Sequence, residues 1–227
     1  MLTVTPLRRG RLFWRCSGWQ LSNIQVEGVD MAVNIGDEDD ANVRGLRISQ
    51  FEVMNPSVPS GSSANDAFAI VNCYHVLIDH CRVVNIADDG IDTKTHAVSV
   101  VNCYLQGTGR NAVKFWRDGE IINTILYNVT DIDDGAIVVK DGPFRMINSV
   151  LLGHPTGYAG TFAYDTPTST ACTIVNSVFG NVRSFYLGTP NLVASNNRFF
   201  DIGTGDPLFE GTVTAADADA LDALPNC

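Results

Sequence analysis

The 227-residue sequence predicts an all-β fold, a parallel β-helix of about eight coils. Three observations indicate this solenoid: a repeat of roughly 20 to 25 residues, short β-branched segments, and turn residues between those segments. A helical solenoid would instead require runs of about ten or more residues with an apolar period of 3.6, which the sequence lacks. In a parallel β-helix each coil supplies short strands that stack on the next coil at about 4.8 Å.

The repeat is centred on one position that recurs in eight segments. In chain order it is occupied by Asn23, Gly45, His80, Asn102, Asn123, Asn148, Asn176 and Asn196. In all eight segments the residue two places before it and the residue three places after it are apolar, which indicates a core-facing side of each coil. Asparagine fills six of the eight positions, and stacked amides can hydrogen-bond along a column. We therefore expect an asparagine ladder along the solenoid.

The extent of the repeat divides the chain into three parts. Residues 1–18 are expected to form an N-terminal entry or cap segment, and residues 19–209 the β-helix. Residues 210–227 leave the repeat and are expected to form a tail that caps the open end of the stack. The longest spacing between repeats, 35 residues, places an insertion at "NPSVPSGSSAND", residues 55–66.

The composition restricts the partners of the protein. A net charge of −10 and a pI near 4.6 argue against nucleic acid or an anionic membrane, because both attract basic surfaces. An acidic polymer would need a cation to mediate its contact with this chain. No apolar run reaches the roughly 18 residues of a membrane span, and the N-terminal residues do not read as a secretory signal.

The segment "ADDGIDTK", residues 87–94, contains the strongest candidates for functional side chains. It places Asp88, Asp89 and Asp92 around a glycine bend, so that their oxygens can converge. If Ile91 points into the core, Asp92 points outward, because side chains alternate along a strand. Calcium takes about six to eight oxygen ligands, several of them from carboxylates. The segment is therefore a candidate calcium site.

The chain resembles the right-handed β-helix proteins of the pectate lyase superfamily. The matching features are the "VVNCYL"-like coils, the Asn column and the closing "GDPLF", which together cover about residues 19–209. "DDGID" resembles the calcium-binding segment of family 9 pectate lyases. That resemblance implies Asp88, Asp89 and Asp92 as calcium ligands, with Asp66 as a further ligand one coil upstream. It also implies a lysine base, an acidic polysaccharide substrate and an extracellular or periplasmic location.

The alignment of "DDGID" with "RNAVK", one coil later, selects the catalytic candidates. It stacks Arg110 on Asp88 and Lys114 on Asp92. We expect Lys114 to be the base of a β-elimination and Arg110 to act beside it, since proton abstraction next to a uronate carboxylate requires a basic side chain. The side chains expected to bind substrate are Arg117, Trp116, Lys94 and Lys140, of which the tryptophan could stack on a sugar face.

Other interpretations of the same residues stay open. Asp-Gly is a common turn pair, so "DDG" could serve only to form a turn. A second copy, "DIDDGAIVVK", lacks an equivalent of Asp92, which favours this interpretation. Alternating Asp and Lys/Arg on one face could be a charge ladder that holds neighbouring coils in register. The functional alternatives are a glycoside hydrolase that uses Asp from adjacent coils, and a non-catalytic carbohydrate-binding or structural β-helix.

The repeat also predicts the surroundings of two cysteines and one histidine. Cys81 and Cys103 should stack in neighbouring coils, at a spacing that suits either a disulfide or two small buried thiols. His80 occupies the Asn position, which favours a buried, hydrogen-bonded role over a catalytic one.

Overall fold

The structure, a computed structural model, describes residues 2–3, 18, 20–27, 32–35, 43–54, 66–129, 136–153, 162–164, 171–180, 185–187 and 191–200. These residues form parallel β-strands and the short corners that join them, and no helix occurs among them. Most of the predicted cap, the predicted tail, most of the insertion at 55–66, Cys16 and Cys227 lie outside the described residues.

Twenty strands are described. They are β1 (Leu2–Thr3), β2 (Gln20–Glu27), β3 (Val33–Ile35), β4 (Val43–Met54), β5 (Phe68–Asp79), β6 (Arg82–Ile86), β7 (Ile91–Val101), β8 (Tyr104–Thr108), β9 (Val113–Phe115), β10 (Gly119–Ile122), β11 (Ile125–Val129), β12 (Ile137–Val139), β13 (Phe144–Ile147), β14 (Val150–Gly153), β15 (Phe162–Tyr164), β16 (Ala171–Val175), β17 (Val178–Gly180), β18 (Phe185–Leu187), β19 (Asn191–Ser195) and β20 (Arg198–Phe200).

The strands pair in three parallel ladders. The first ladder runs β3–β5–β7–β9–β12–β15–β18. The second runs β2–β4–β5–β7–β10–β13–β16–β19. The third runs β1–β2–β4–β6–β8–β11–β14–β17–β20. The long strands β2, β4, β5 and β7 contribute to two ladders each. The predicted parallel β-solenoid is confirmed.

The number of complete turns is smaller than predicted. About four turns, within residues 66–153, are described through all three ladders, rather than the eight coils expected. Strands on both sides continue the ladders, but several segments that join them lie outside the described residues.

The core is a set of apolar columns that follow the ladders. Ile48, Ile78, Val100, Ile121 and Met146 stack on one another and are fully buried. Ile78, Val100, Ile121 and Met146 occupy the predicted apolar position two places before the repeat centre, whereas the sequence alignment assigns Ile48 to the other apolar position, three places after it. Because each side chain packs against its counterpart in the next turn, the sequence repeat and the burial repeat coincide.

The strand pairing corrects the repeat alignment in one segment. Ile78, two places before His80, pairs with Ile48, so the equivalent of His80 in the preceding turn is Gln50 and not Gly45. Gln50 has a φ of 51°, close to the 52° of His80. Gly45, with a φ of 71°, occupies a different corner, next to Gly18. The alignment was wrong because the apolar pattern of β4 fits both registers.

The repeat centre is a backbone corner between the second and third ladders. Its occupants all have φ between 49° and 56°: Asn23, Gln50, His80, Asn102, Asn123, Asn148, Asn176 and Asn196. Asparagine tolerates this left-handed conformation better than most residues, so the backbone requirement explains the column more directly than an amide ladder does. Within the described part of the column, Asn123 Nδ2 donates to Asn102 Oδ1 at 3.4 Å. The corner faces solvent, so His80 is exposed rather than buried, and its Nδ1 lies 2.6 Å from Asp79 Oδ1.

The residue after each corner turns inward, and from His80 onward these residues are polar or thiol side chains that form a second column, which we call the hydroxyl column. Its described members are Cys81, Cys103, Thr124, Ser149, Ser177 and Asn197. Each of the first five donates its backbone N–H to the side chain of the next member, at 2.9 to 3.4 Å. Cys81 and Cys103 are thiols in this column and form no disulfide.

Candidate functional site at the acidic corner

The candidate site lies at the corner that leads into the first ladder. We use "acidic corner" for Asp66, Asp88 and Asp89, which precede β5 and β7. The backbone stacks here turn on turn: Ala67 N–H donates to Asp89 O at 3.0 Å, and Gly90 N–H donates to Asn111 O at 2.9 Å. A side chain at Gly90 would place its Cβ 2.7 Å from a carbonyl oxygen of the next turn. The glycine of "DDG" is therefore required by close stacking.

The three carboxylates of the acidic corner converge. One oxygen from each lies within 4.8 Å of the other two. Asp66 and Asp89 are buried and Asp88 is half-buried. Asp66 Oδ1 accepts the backbone N–H of Asp89 at 3.2 Å, and Asp89 Oδ1 accepts the backbone N–H of Asn111 at 3.0 Å. These backbone bonds orient the carboxylates across three successive turns.

Two basic side chains from the next turn reach the acidic corner. Arg110 Nη1 donates to Asp88 Oδ1 at 3.3 Å, and Lys114 Nζ lies 3.8 Å from Asp89 Oδ2. The Lys114 side chain is only 11% exposed. The pairing stacks Lys114 on Asp92, as the alignment of "DDGID" with "RNAVK" predicts.

Burial raises the pKa of two carboxyl groups of the acidic corner, Asp66 and Asp89. For Asp66 burial and the charges of Asp89, Asp92 and Asp88 raise the pKa to about 7. For Asp89 burial is again the largest cause and raises the pKa to about 6, although Lys114 opposes the shift. Desolvation and like charge both disfavour the ionised form, so these carboxylates lie close together at an electrostatic cost. Clustered hard oxygen donors of this kind fit a divalent cation such as calcium.

Asp92, the fourth predicted ligand, lies outside the group of three. Its side chain points outward while Ile91 is fully buried, as strand alternation predicts. Asp92 Oδ1 accepts the indole N–H of Trp116 at 2.8 Å. The Nζ atoms of Lys94 and Lys114 lie 5.2 and 5.5 Å from the Trp116 ring centre, within cation–π range. Burial raises the pKa of Asp92, and Lys114 opposes this shift.

The remaining predicted residues lie further along the same face. Arg117 Nη1 donates to Asp141 Oδ2 at 2.7 Å on the surface. Lys140 follows β12, and its backbone N–H donates to Phe115 O at 2.8 Å. In the next turn the counterpart of Lys114 is Val138, so the Asp92–Lys114 pair is not repeated there. A continuous charge ladder is therefore absent from this column between β5 and β12. Asp133 and Asp134 of the second "DDG" lie outside the described residues.

Sequence reasoning missed Asn111, which is buried and whose backbone N–H orients Asp89. The sequence feature that could have identified Asn111 is its position 22 residues, or one coil, after Asp89. It also missed a pair on the neighbouring face, His96 and Asp118, whose Nδ1 and Oδ1 atoms are 2.7 Å apart. Their outward-facing positions, 22 residues apart, were the corresponding signal.

No protein-family model, no curated protein and no solved structure matches this chain. Within the described part of the chain, no helix has the length and apolarity to cross a membrane.

Proposed function

We propose that this protein is a right-handed β-helix of the pectate lyase type that cleaves a uronate-containing polysaccharide by calcium-assisted β-elimination. The observation that carries the proposal is the convergence of three carboxylates, two of them buried, beside the nearly buried amine of Lys114. The resemblance of "DDGID" to a calcium segment supports the same assignment. An acidic polysaccharide partner and an extracellular or periplasmic location belong to this proposal.

Asp66, Asp88 and Asp89 would hold the calcium ion, with Asp92 as a further candidate ligand. Bound calcium would neutralise the uronate carboxylate and acidify the adjacent C–H. The donor set supports this role because it consists of hard oxygens whose mutual repulsion a dication would relieve.

Lys114 is the proposed base. Its Nζ would accept the proton of the C–H next to the uronate carboxylate. The electrons of that bond would form a carbon–carbon double bond, and the neighbouring glycosidic C–O bond would break, with its electron pair leaving on the glycosidic oxygen, which takes up a proton from water. Lys114 Nζ lies 3.8 Å from Asp89 Oδ2 and 5.5 Å from the centre of the Trp116 ring, so the amine is placed beside both the acidic corner and the indole.

The other basic side chains would position the substrate. Arg110, 3.3 Å from Asp88, presents a guanidinium at the edge of the acidic corner. Lys94 and Trp116 lie next to Lys114 on the same face, where an ammonium could pair with a second uronate and the indole could contact a sugar ring. Arg117 and Lys140 extend this basic surface.

The first experiment is calorimetric calcium titration of the wild type, Asp89→Asn and Asp92→Asn. We expect saturable binding by the wild type and its loss in Asp89→Asn. Retained binding in Asp92→Asn would limit the ligand set to the acidic corner, and lost binding would add Asp92 to it. Absence of binding by the wild type would overturn the calcium proposal. A parallel assay follows the absorbance of the unsaturated product on uronate polymers with calcium and with EDTA, using Lys114→Met as the inactive variant.

A glycoside hydrolase that uses the same acids is the second candidate. It is favoured by the burial of Asp66 and Asp89, which raises the pKa of both carboxyl groups, since glycoside hydrolysis needs a carboxyl group that stays protonated to act as the general acid. Release of reducing ends in EDTA, without unsaturated product, would support the hydrolase over the lyase. A carbohydrate-binding rod without catalysis would give neither product.

A further inference from the structure

A groove on another face of the solenoid carries a second arrangement of polar groups. It lies on the outer surface of β5, β7, β10 and β13 and has a volume of about 460 Å³. The side chains that define this lateral groove are His75, Leu77, Ser99, Asp118, Glu120 and Arg145. We propose that the lateral groove is a calcium-independent binding site for a neutral saccharide.

The two acids of the lateral groove are held in fixed orientations. Asp118 lies 2.7 Å from His96 Nδ1 through one oxygen and accepts the backbone N–H of Ala97 at 2.8 Å through the other. Glu120 accepts the hydroxyl of Ser99 at 2.7 Å through Oε1 and the guanidinium of Arg145 at 3.2 Å through Oε2. A carboxylate can accept about four hydrogen bonds, so each acid retains acceptor capacity for hydroxyl groups.

These polar groups are held by paired strands rather than by loops. Ser99 and Glu120 pair directly between β7 and β10, and Glu120 pairs with Arg145 between β10 and β13. Tyr74 stacks on His96 beside the lateral groove, with ring centres 5.6 Å apart and an interplanar angle of 10°. Ser99 and Glu120 are held by strand pairing and by the hydrogen bond between them, so these two side chains lose little conformational entropy on binding.

The charge and size of the lateral groove select the ligand class. Two carboxylates face one guanidinium, so an acidic sugar would be repelled, whereas hydroxyl groups can both donate to Asp118 or Glu120 and accept from Arg145. The apolar surface of Leu77 suits the C–H face of a pyranose ring. The volume falls within the roughly 300–1,000 Å³ of small-molecule sites. Four stacked turns span about 14 Å at the usual strand spacing, which accommodates a short oligosaccharide.

The lateral groove lies next to the face proposed for catalysis. Trp116 and Asp118 are two residues apart and contact Asp92 and His96 of the preceding turn, respectively. A glycan bound near Trp116 could therefore continue into the lateral groove. The choice of a saccharide rests partly on the proposed function, but binding in the lateral groove requires neither calcium nor the acidic corner.

The test is affinity electrophoresis in EDTA through gels that contain a β-glucan, a galactomannan, an arabinoxylan or dextran. We expect at least one of these neutral polysaccharides to retard the wild type. Ser99→Trp, which fills the lateral groove, should weaken retardation at least tenfold, and Glu120→Gln should weaken it several-fold. Thr173→Trp is the matched control, because Thr173 pairs with Arg145 and continues the same outward column outside the lateral groove. It should behave as the wild type.

No retardation by any of the four polymers would overturn the proposal, as would equal retardation of the wild type, Ser99→Trp and Glu120→Gln. Thermal melting of each variant verifies folding, and Glu120→Gln preserves side-chain size if Ser99→Trp does not fold. Because calcium is absent, failure of the lyase proposal would leave this result unchanged. Conversely, lyase activity without retardation would overturn only the proposal that the lateral groove binds a saccharide.

Discussion

The hydroxyl column and the acidic corner are both stacks of polar side chains, but their hydrogen-bonding capacity is satisfied to different degrees. In the hydroxyl column, Thr124 Oγ1 accepts the N–H of Cys103 at 3.2 Å and donates to Ile122 O at 3.0 Å, and Ser149 and Ser177 repeat this pattern. In the acidic corner, by contrast, three groups that only accept hydrogen bonds when ionised lie within 4.8 Å of one another.

This difference separates a structural column from a candidate functional one. A hydroxyl or thiol both donates and accepts, so it can be stacked in every turn without a net charge. Buried carboxylates in adjacent turns lose hydration and, to a smaller extent, repel one another, which is why the pKa values of Asp66 and Asp89 are raised. Perturbed pKa values in a cluster are characteristic of functional sites, although structural ion pairs also produce them.

The largest expected effect is the pH dependence of stability without calcium. The folded pKa values of about 7 for Asp66 and about 6 for Asp89 lie above the ordinary 3.8, so the folded state binds these protons more tightly. The contribution of these two protons to the free energy of unfolding is complete below about pH 4 and is lost as the pH rises through 6 and 7. Urea unfolding in EDTA should show a loss of about 2–4 kcal/mol between pH 5 and 8. Constant stability over this range would contradict the charge repulsion that we assign to the acidic corner.

The hydroxyl column should be sensitive to loss of one hydroxyl at constant volume. Thr124→Val removes the acceptor for the buried N–H of Cys103, so we expect a destabilisation of about 1–3 kcal/mol in urea unfolding. Thr173→Val, at a half-buried outward position, is the control and should change stability by less than about 0.5 kcal/mol. Equal effects of the two substitutions would show that the column hydrogen bonds contribute little.

The acidic corner should respond in the opposite direction to loss of one charge. Asp66→Asn keeps an oxygen for the Asp89 N–H but removes the negative charge, so at pH 8 in EDTA we expect a stabilisation of about 1–2 kcal/mol. Saturating calcium should stabilise the wild type more than the variant, because the variant lacks one carboxylate ligand. Asp141→Asn, an exposed acid paired with Arg117, should change stability little. A destabilised Asp66→Asn in EDTA would refute the interpretation.

The smallest expected effect concerns Asp92 and the indole that it holds. Asp92→Ala removes the acceptor for Trp116 Nε1, which should cost about 0.5–1.5 kcal/mol and change the indole emission in a background with Trp14 and Trp19 replaced by Phe. Asp92→Asn retains an oxygen acceptor and should leave the emission close to that of the wild type. Identical emission spectra for the Ala variant and the parent would show that the hydrogen bond does not position Trp116.

The sequence was sufficient to predict the parallel solenoid, since the apolar positions around the repeat centre can be counted without coordinates. Ile78, Val100 and Ile121 stack as that count requires. The count failed at β4, where Gly45 and Gln50 both satisfy the apolar pattern, and strand pairing alone distinguished them. The same local information predicted that Asp92 would point outward and stack on Lys114.

What the sequence could not decide depends on contacts between turns. The sequence grouped Asp92 with Asp66, Asp88 and Asp89 as one ligand set, whereas in the structure only the last three converge and Asp92 accepts the indole N–H of Trp116. The sequence therefore determined the fold and the turn that carries the acids, because strand alternation and the coil repeat are properties of the chain itself. Only the tertiary structure decided which oxygens meet, because that depends on the direction of each corner and on the side chains of the neighbouring turn.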